Sequence, residues 1–207
     1  MHNDAKRIIF LQGKKTILRP LNIDTDLENI TRWINDPEVR QFVKNGYPQT
    51  LLGERKWIEN KDSNKNDITL AIETQEGRHI GLMGLHTIDY RNRVAATGAL
   101  IGEKDCWKQG YGSDAKMALL NYAFNTLNLH RINSAVIGFN ERSLCYSLKC
   151  GYCIEGVQRG ALYQDGKYHN KILLGLLKED WLLLWKEYQA SGTFAHWELA
   201  KELTLRF

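Results

Sequence analysis

The pattern of apolar and polar positions divides the chain into a helical first third and a strand-rich remainder. In the first third, apolar residues recur at three- and four-residue spacing after one short apolar strand. The predicted elements are a strand at 15–21, a helix through Leu27, Ile30, Trp33 and Ile34 capped by Asp24 or Thr25, a short helix from Pro37, and a helix at 52–61.

From residue 68 onwards, the pattern alternates as in β-strands. It predicts an antiparallel meander of strands 68–73, 79–88 and 95–102, then a helix 113–127, a strand 130–139, a helix 140–150 capped by Asn140, and a hairpin of strands 152–162 and 168–177. The strand at 130–139 is reached through a helix, so it should run parallel to the strand at 95–102. The predicted class is α+β, a mixed and mostly antiparallel sheet with one parallel β–α–β crossover and helices on both faces.

The strand at 95–102 leads into a glycine turn and then directly into a helix. The turn is Lys108-Gln109-Gly110-Tyr111-Gly112-Ser113. Glycines let the backbone approach a ligand closely, and the free N–H groups of a helix N-terminus attract anions. The turn therefore predicts a phosphate-binding cradle. A P-loop nucleotide site is disfavoured, because no Gly-Lys-Ser/Thr follows the glycines.

Composition narrows the class of protein. The 207 residues carry a net charge of +4, which is too mild to indicate nucleic-acid binding. No signal peptide or membrane span is expected, which predicts a cytoplasmic protein. Four cysteines include Cys150-x-x-Cys153, but no second pair follows, so reduced thiols and no metal are expected. We expect one domain at 1–180 and a helical extension at 181–207, which either covers the core or makes a homodimer contact if Trp181, Trp185 and Trp197 are exposed.

Three local patterns together resemble the GNAT superfamily of N-acetyltransferases, and most closely its RimJ/RimL-type branch of ribosomal-protein, spermidine and antibiotic N-acetyltransferases. The resemblance covers about residues 14–180. The patterns are Trp33-Ile34-Asn35-Asp36-Pro37-Glu38-Val39, the run from Trp107 to Ala115, and Asn140-Glu141-Arg142-Ser143 followed by Lys149-Cys150-Gly151-Tyr152 and Glu155-Gly156.

The resemblance implies that acetyl-CoA lies between splayed strands and that a neutral amine attacks its thioester directly. The enzyme must orient the thioester, deprotonate the amine and protonate the leaving thiolate. The residues implied for the cofactor are Gln109, Gly110, Tyr111, Gly112 and Ser113 at the pyrophosphate, Lys108 as an added charge or a solvated lysine, Leu100, Ile101 and Gly102 along the pantetheine, and Asn140 and Ser143 on the next helix.

The expected proton donor departs from the family pattern. Relatives often carry a tyrosine seven residues after the asparagine, where this chain has Ser147 and Tyr146 comes one residue earlier. One residue rotates a helix by about 100°. Ser147 and Ser143 share a face at four-residue spacing, and we therefore prefer them to Tyr146 as the donor.

The expected base also departs from the pattern. Relatives often have a glutamate where this chain has Ala96. The substitutes are His86 on the neighbouring strand, Glu103 near the cradle, or an ordered water chain.

Substrate selection is expected from Tyr47, Tyr163 and Tyr168, with Asp165, on two loops whose aromatic and acidic walls suit a cationic amine. The resulting prediction is an N-acetyltransferase acting on a protein N-terminus, a polyamine, an aminoglycoside or an amino sugar. A module that binds acyl-CoA without catalysis is the alternative, because Ala96 and the shifted tyrosine leave the proton chemistry unassigned.

Overall fold

The fold is known from a computed structural model that describes residues 7–43, 46–61 and 63–192. Its helices are α1 (Ile23–Asn35), α2 (Pro37–Arg40), α3 (Leu51–Lys61), α4 (Tyr111–Asn121), α5 (Glu141–Lys149) and α6 (Lys178–Ser191). Its strands are β1 (Leu11–Gln12), β2 (Thr16–Pro20), β3 (Ile68–Thr74), β4 (His79–Asp89), β5 (Val94–Ile101), β6 (Arg131–Ile137), β7 (Cys153–Gln164) and β8 (Lys167–Leu177).

The eight strands form one sheet in the order β1-β2-β3-β4-β5-β6-β8-β7. Every pair in this order is antiparallel except β5 and β6, which are parallel and joined through α4. The predicted α+β class, the meander and the single parallel crossover are confirmed.

The two faces of the sheet carry different helices. Leu82 and Leu100 pack with the apolar residues of α1 and α3, such as Ile30. Met83 and Ala95, one position out of phase, pack with α4. Because side chains alternate along a strand, even positions of β5 and of the stretch 82–86 of β4 face α1 and α3, and odd positions face α4. Register shifts near both ends of β4 break this alternation, so Ile80 and Ile88 pack on the α4 side.

Asp114 in the first turn of α4 ties the cradle helix to both ends of the chain. Its buried carboxylate accepts hydrogen bonds from the backbone N–H groups of Lys14, Lys15 and Thr16 at 2.9 Å, and from the Thr16 hydroxyl at 2.6 Å. It also accepts one from the Tyr188 hydroxyl on α6. A carboxylate with several donors is strongly bound, so α4 has a fixed position relative to β2 and α6.

Helix α6 follows β8 without a loop, so the expected boundary at residue 180 falls inside a helix. Trp181 is fully buried and stacks on Trp185, which is only partly buried. These two tryptophans therefore cover the core, and the exposure that favours a dimer contact is absent from them. Trp197 and the rest of 193–207 lie outside the described residues.

Several local predictions are corrected. Asn22 caps α1, because its side chain accepts the Asp24 N–H, so Asp24 and Thr25 belong to the first turn. Helix α4 begins at Tyr111 and not at residue 113, after Gly110 in a left-handed conformation. The short strand β1, which pairs with β2, was not predicted.

Candidate active site

A cleft opens where β5 and β6 stop pairing. Their parallel register covers only Val94–Arg131, Ala95–Ile132 and Ala96–Asn133. Beyond these pairs, the ends of the two strands diverge and line an open cavity of about 2090 Å³. The sequence predicted a gap between the two strands at this position. The gap follows from the crossover, because beyond Ala96 and Asn133 the carboxyl ends of β5 and β6 no longer pair with each other.

The free edge of β5 presents backbone groups to this cleft. The Gly102 N–H donates to the Ile80 carbonyl at 2.9 Å, so Gly102 points toward β4. Antiparallel pairing alternates, so Leu100 also points toward β4, while Ala99 and Ile101 point into the cleft. Two contacts agree with this phase: the Trp107 indole donates to the Ile101 carbonyl at 2.8 Å, and the Ser134 hydroxyl approaches the Thr97 carbonyl at 3.4 Å.

Of the three predicted pantetheine residues, Ile101 is therefore the one whose N–H faces the cleft, and Ala99 was missed. Gly102 has a different role, because a Cβ at this position would lie 2.0 Å from the Trp33 ring. Trp33, which begins the pattern Trp33 to Val39, therefore packs against the end of β5 and requires a glycine at position 102.

The glycine turn has the conformation that an anion cradle needs. Lys108 and Gly110 have φ angles of 63° and 87°. The first helical hydrogen bond runs from the Asp114 N–H to the Gly110 carbonyl, and no side chain caps the helix. The N–H groups of Tyr111, Gly112 and Ser113 therefore precede the hydrogen-bonded turns and can bind an anion.

Lys15 adds a positive charge to the cradle and was missed by the sequence analysis. Its Nζ donates to the Gln109 carbonyl at 3.1 Å and lies 3.7 Å from where a Gly110 Cβ would be. Lys15 precedes β2 and is almost a hundred residues away in sequence, so no local motif could reveal it. Lys108 and Gly110 line the cleft itself.

Helix α5 supplies the opposite wall. The Asn140 side chain accepts the Ser143 N–H at 3.1 Å, which confirms the predicted cap. Asn140, Ser143 and Tyr146 all line the cleft. Ser147 does not; its side chain is 1% exposed and its hydroxyl has no hydrogen-bond partner among the described residues.

The preference for Ser147 over Tyr146 is therefore corrected. Ser147 is the buried residue of α5, and the thiol of Cys150, which caps the helix, contacts the Ser113 carbonyl of α4. Ser143 and Tyr146 line the cleft.

His86 occupies the place of the glutamate that this chain lacks. It pairs directly with Ala96 across β4 and β5, and Gly84 pairs with Gly98 beside it. The imidazole lies over both glycines, with Nε2 3.1 Å from a Cβ position on Gly98 and Cε1 3.3 Å from one on Gly84. Burial lowers the pKa of His86. A neutral imidazole at the edge of the cleft can accept a proton.

The other predicted base, Glu103, is engaged elsewhere. Its carboxylate accepts hydrogen bonds from Arg32, from the Trp33 indole at 2.9 Å and from Arg78 at 2.9 Å. Burial alone would raise the pKa of Glu103, but the hydrogen bonds from Arg32 and Trp33 lower it on balance. Glu103 is thus a structural anchor between α1 and the end of β5.

A second carboxylate, missed in the sequence, lines the cleft on the His86 side. Glu54 of α3 is 8% exposed, and burial raises its pKa with no cation or donor among the described residues to offset it. Trp57 and Thr69 line the same region, and the Thr69 hydroxyl is buried without a partner in the described chain. These groups form a polar wall with unused hydrogen-bonding capacity.

Aromatic side chains bridge the outer part of the cleft. The Arg142 guanidinium lies 3.9 Å from the Trp107 ring centroid and 4.7 Å from that of Phe42. Of the predicted substrate residues, Tyr163 lines the cavity. Tyr168 packs against Tyr163, with 5.1 Å between their ring centroids. Tyr47 is 80% exposed and is not among the cleft-lining side chains.

Comparisons with known proteins agree with this geometry. Residues 15–152 match the family model "Acetyltransferase (GNAT) domain". The chain belongs to the GNAT acetyltransferase family. It is an N-acetyltransferase whose acetyl donor is acetyl-CoA.

Two named relatives are similar to about half of this chain. A putative ribosomal N-acetyltransferase of Bacillus subtilis is 33% identical over 51% of this chain and 57% of its own length. A spermidine N(1)-acetyltransferase of Escherichia coli is 26% identical over 52% of this chain and 57% of its own length. The chain thus spans little more than half of these two relatives.

Among solved structures, a spermidine N-acetyltransferase from Vibrio cholerae in complex with CoA and spermine superimposes with a TM-score of 0.75. It is 22% identical and covers 82% of this chain and 99% of its own, a likeness that concerns the fold. None of the helices in the described part of the chain is long and apolar enough to cross a membrane.

Proposed function

We propose that this GNAT enzyme acetylates a primary amine that Glu54 receives as an ammonium ion and His86 deprotonates. The observation that carries the proposal is the Glu54 carboxylate, which is buried in the cleft wall without a counter-ion among the described residues. An unpaired buried carboxylate costs free energy, and a bound ammonium group offsets that cost.

The residues on the other side of the gap have the chemistry that acetyl-CoA requires. The N–H groups of Tyr111, Gly112 and Ser113 are suited to its pyrophosphate, and Lys15 adds charge. The N–H groups of Ala99 and Ile101 are suited to the pantetheine and to the thioester oxygen. Asn140 and Ser143 stay proposed cofactor contacts. Acetyl-CoA supplies an activated acetyl group, and the acyl carbon passes directly to the amine.

The proton transfers divide between the two faces of the sheet. His86 lies on the face of α1 and α3, where it takes the amine proton, directly or through water. Tyr146 belongs to α5 on the face of α4, where its hydroxyl returns a proton to the leaving thiolate, with Ser143 beside it. An acid and a base on opposite sides of the gap can act on the two ends of one reacting group.

His86 weakens the case for an inactive acyl-CoA-binding module. That alternative followed from Ala96 and the shifted tyrosine. The imidazole now stands across from Ala96, and Tyr146 lines the cleft. The names of the relatives suggest polyamines and protein N-termini as the first acceptors to try, and a homodimer stays a prediction.

A panel of amines with acetyl-CoA, followed by release of free thiol, tests the proposal. The panel is spermidine, a peptide with a free N-terminus, an aminoglycoside and an amino sugar. For the amine that is turned over, we expect Glu54→Gln to raise its KM by about 10- to 100-fold, because a charge-assisted hydrogen bond contributes about 1.5–3 kcal/mol. The KM for acetyl-CoA should stay unchanged.

Glu59→Gln is the matched control, because Glu59 lies exposed on the same helix. It should leave both KM values as in the wild type. No turnover of any amine, or a Glu54→Gln enzyme with an unchanged amine KM, would count against the proposed acceptor site.

A further inference from the structure

A lysine is buried beneath the cleft with no polar partner. Lys116 of α4 has no exposed surface, and its Nζ makes no hydrogen bond within the described residues. The Nζ lies 5.5 Å from the ring centroid of Tyr146 and 5.5 Å from that of Tyr152. A leucine or methionine would fill this position at lower cost, so the amine needs an explanation beyond packing.

The polar groups around Lys116 are neutral or already paired, so its ammonium group contacts only aromatic rings among the described residues. At the C-cap of α5, burial raises the pKa of the Cys150 thiol to about 12, so the thiol is neutral. The Tyr152 hydroxyl shares a hydrogen bond with Thr97 at 2.8 Å. On α4 itself, the Asp114 carboxylate is taken by the backbone before β2 and by α6.

From β4, the imidazole of His86 senses Lys116 as a nearby positive charge that lowers the His86 pKa. Burial lowers the pKa of Lys116 to about 8. The amine therefore changes charge within the range in which enzymes are assayed, which lysines on the surface do not.

We propose that Lys116 is a positioning residue for Tyr146, whose phenolate its ammonium group stabilises as Tyr146 protonates the departing thiolate. The proposal rests on the acid role given to Tyr146 above. As the C–S bond of the thioester breaks, its electron pair stays on sulfur. Tyr146 gives its hydroxyl proton to that sulfur, and the phenolate is reprotonated from solvent, which receives the protons that the amine loses through His86.

The ring contact explains why a lysine is suited to this task. Burial raises the pKa of Tyr146, which opposes loss of its proton. A cation within about 6 Å of a ring is attracted to it, and the attraction grows when the ring carries negative charge. Below pH 8, Lys116 is charged and assists; above pH 8, it is neutral and the assistance disappears.

Lys116→Met tests the proposal, because methionine fills the same space without charge. We expect kcat at pH 7 to fall by up to about 100-fold, the size expected for one full charge at this distance and an effective dielectric constant of about 20. The KM for acetyl-CoA should not change. The decline of kcat near pH 8 that we expect in the wild type should be absent from the variant.

A double variant separates an effect through Tyr146 from a general structural one. In a Tyr146→Phe enzyme, adding Lys116→Met should cause no further loss of kcat and no change in the pH profile. Independent and multiplicative losses, or a decline near pH 8 that persists in Lys116→Met, would overturn the proposal.

The titration of Lys116 can also be measured by NMR without any substrate, so this test does not depend on which amine the enzyme accepts. In the wild-type protein labelled with ¹³C at lysine Cε, Lys116 should titrate near pH 8, well below the ordinary lysine value of about 10.4. The Lys116→Met spectrum assigns the signal. A Lys116 that titrates with the exposed lysines would overturn the proposal, even if the acceptor site described above is correct.

Discussion

The two sides of the cleft are built in different ways. On the cofactor side, consecutive backbone N–H groups at Tyr111, Gly112 and Ser113 are fixed by one glycine turn and one helix. On the proposed acceptor side, Glu54 of α3 and His86 of β4 are side chains from separate elements that line the same cavity. A backbone site depends little on which side chains surround it, whereas a side-chain site can change with the substrate while the fold stays the same.

The largest expected effect is on the acceptor side. His86→Gln keeps the size of the side chain and removes its basic nitrogen, so kcat/KM should fall by about 10²- to 10⁴-fold, the usual contribution of a general base. Burial lowers the pKa of His86. In the wild type, kcat/KM should therefore rise with pH through a pKa below the ordinary value of about 6.5 and stay level until the decline that Lys116 causes near pH 8.

The pH profile of His86→Gln should lose that acid limb. His130→Gln is the control, because His130 is exposed at the start of β6. If His86→Gln keeps both the rate and the acid limb, His86 is not the base. The proton transfers would then not be divided between the two sides of the cleft.

The smaller effect is on the cofactor side. Lys15→Met removes the positive charge beside Gln109 and should raise the KM for acetyl-CoA about fivefold at low salt, which is about 1 kcal/mol for an exposed ion pair. The difference from the wild type should shrink as the NaCl concentration rises.

Lys65→Met, in the exposed loop before β3, should leave the KM unchanged at every salt concentration. If Lys15→Met and Lys65→Met behave alike, the cradle acts through its backbone alone, which would sharpen the contrast between the two sides.

The same contrast explains what could be predicted from the sequence. The strands, the crossover and the cradle depend on neighbouring residues, so periodicity and the glycine turn were sufficient to find them. Glu54 lies in a helix rich in charged residues, and only its packing beneath the cleft distinguishes it from Glu59. Lys15 reaches the cradle through the β1–β2 turn, which no local pattern encodes.

The error at α5 has a similar origin. Helical geometry correctly separated Tyr146 from Ser147, but the rotation of the helix about its axis depends on its contact with α4. In the structure Ser147 is buried and Tyr146 lines the cleft. A sequence gives the angle between two side chains on a helix, and the partner helix decides which of them faces the site.

The central claim is that backbone N–H groups at the cradle hold acetyl-CoA independently of the acceptor side. Gly112 is the residue that tests it, because a Cβ there would make an ordinary contact with Ile101 at 3.7 Å, and its φ angle is not left-handed. Gly110 is less suited, because its φ angle of 87° would strain any replacement.

The decisive measurement is calorimetric titration of acetyl-CoA into the wild type, Gly112→Val, Glu54→Gln and a Gly156→Val control on β7. We expect Gly112→Val to weaken binding by about 10²-fold, because its side chain displaces the phosphate from two or more N–H groups. Glu54→Gln and Gly156→Val should bind as the wild type does. Wild-type affinity in folded Gly112→Val, or a matching loss in Glu54→Gln, would contradict the claim.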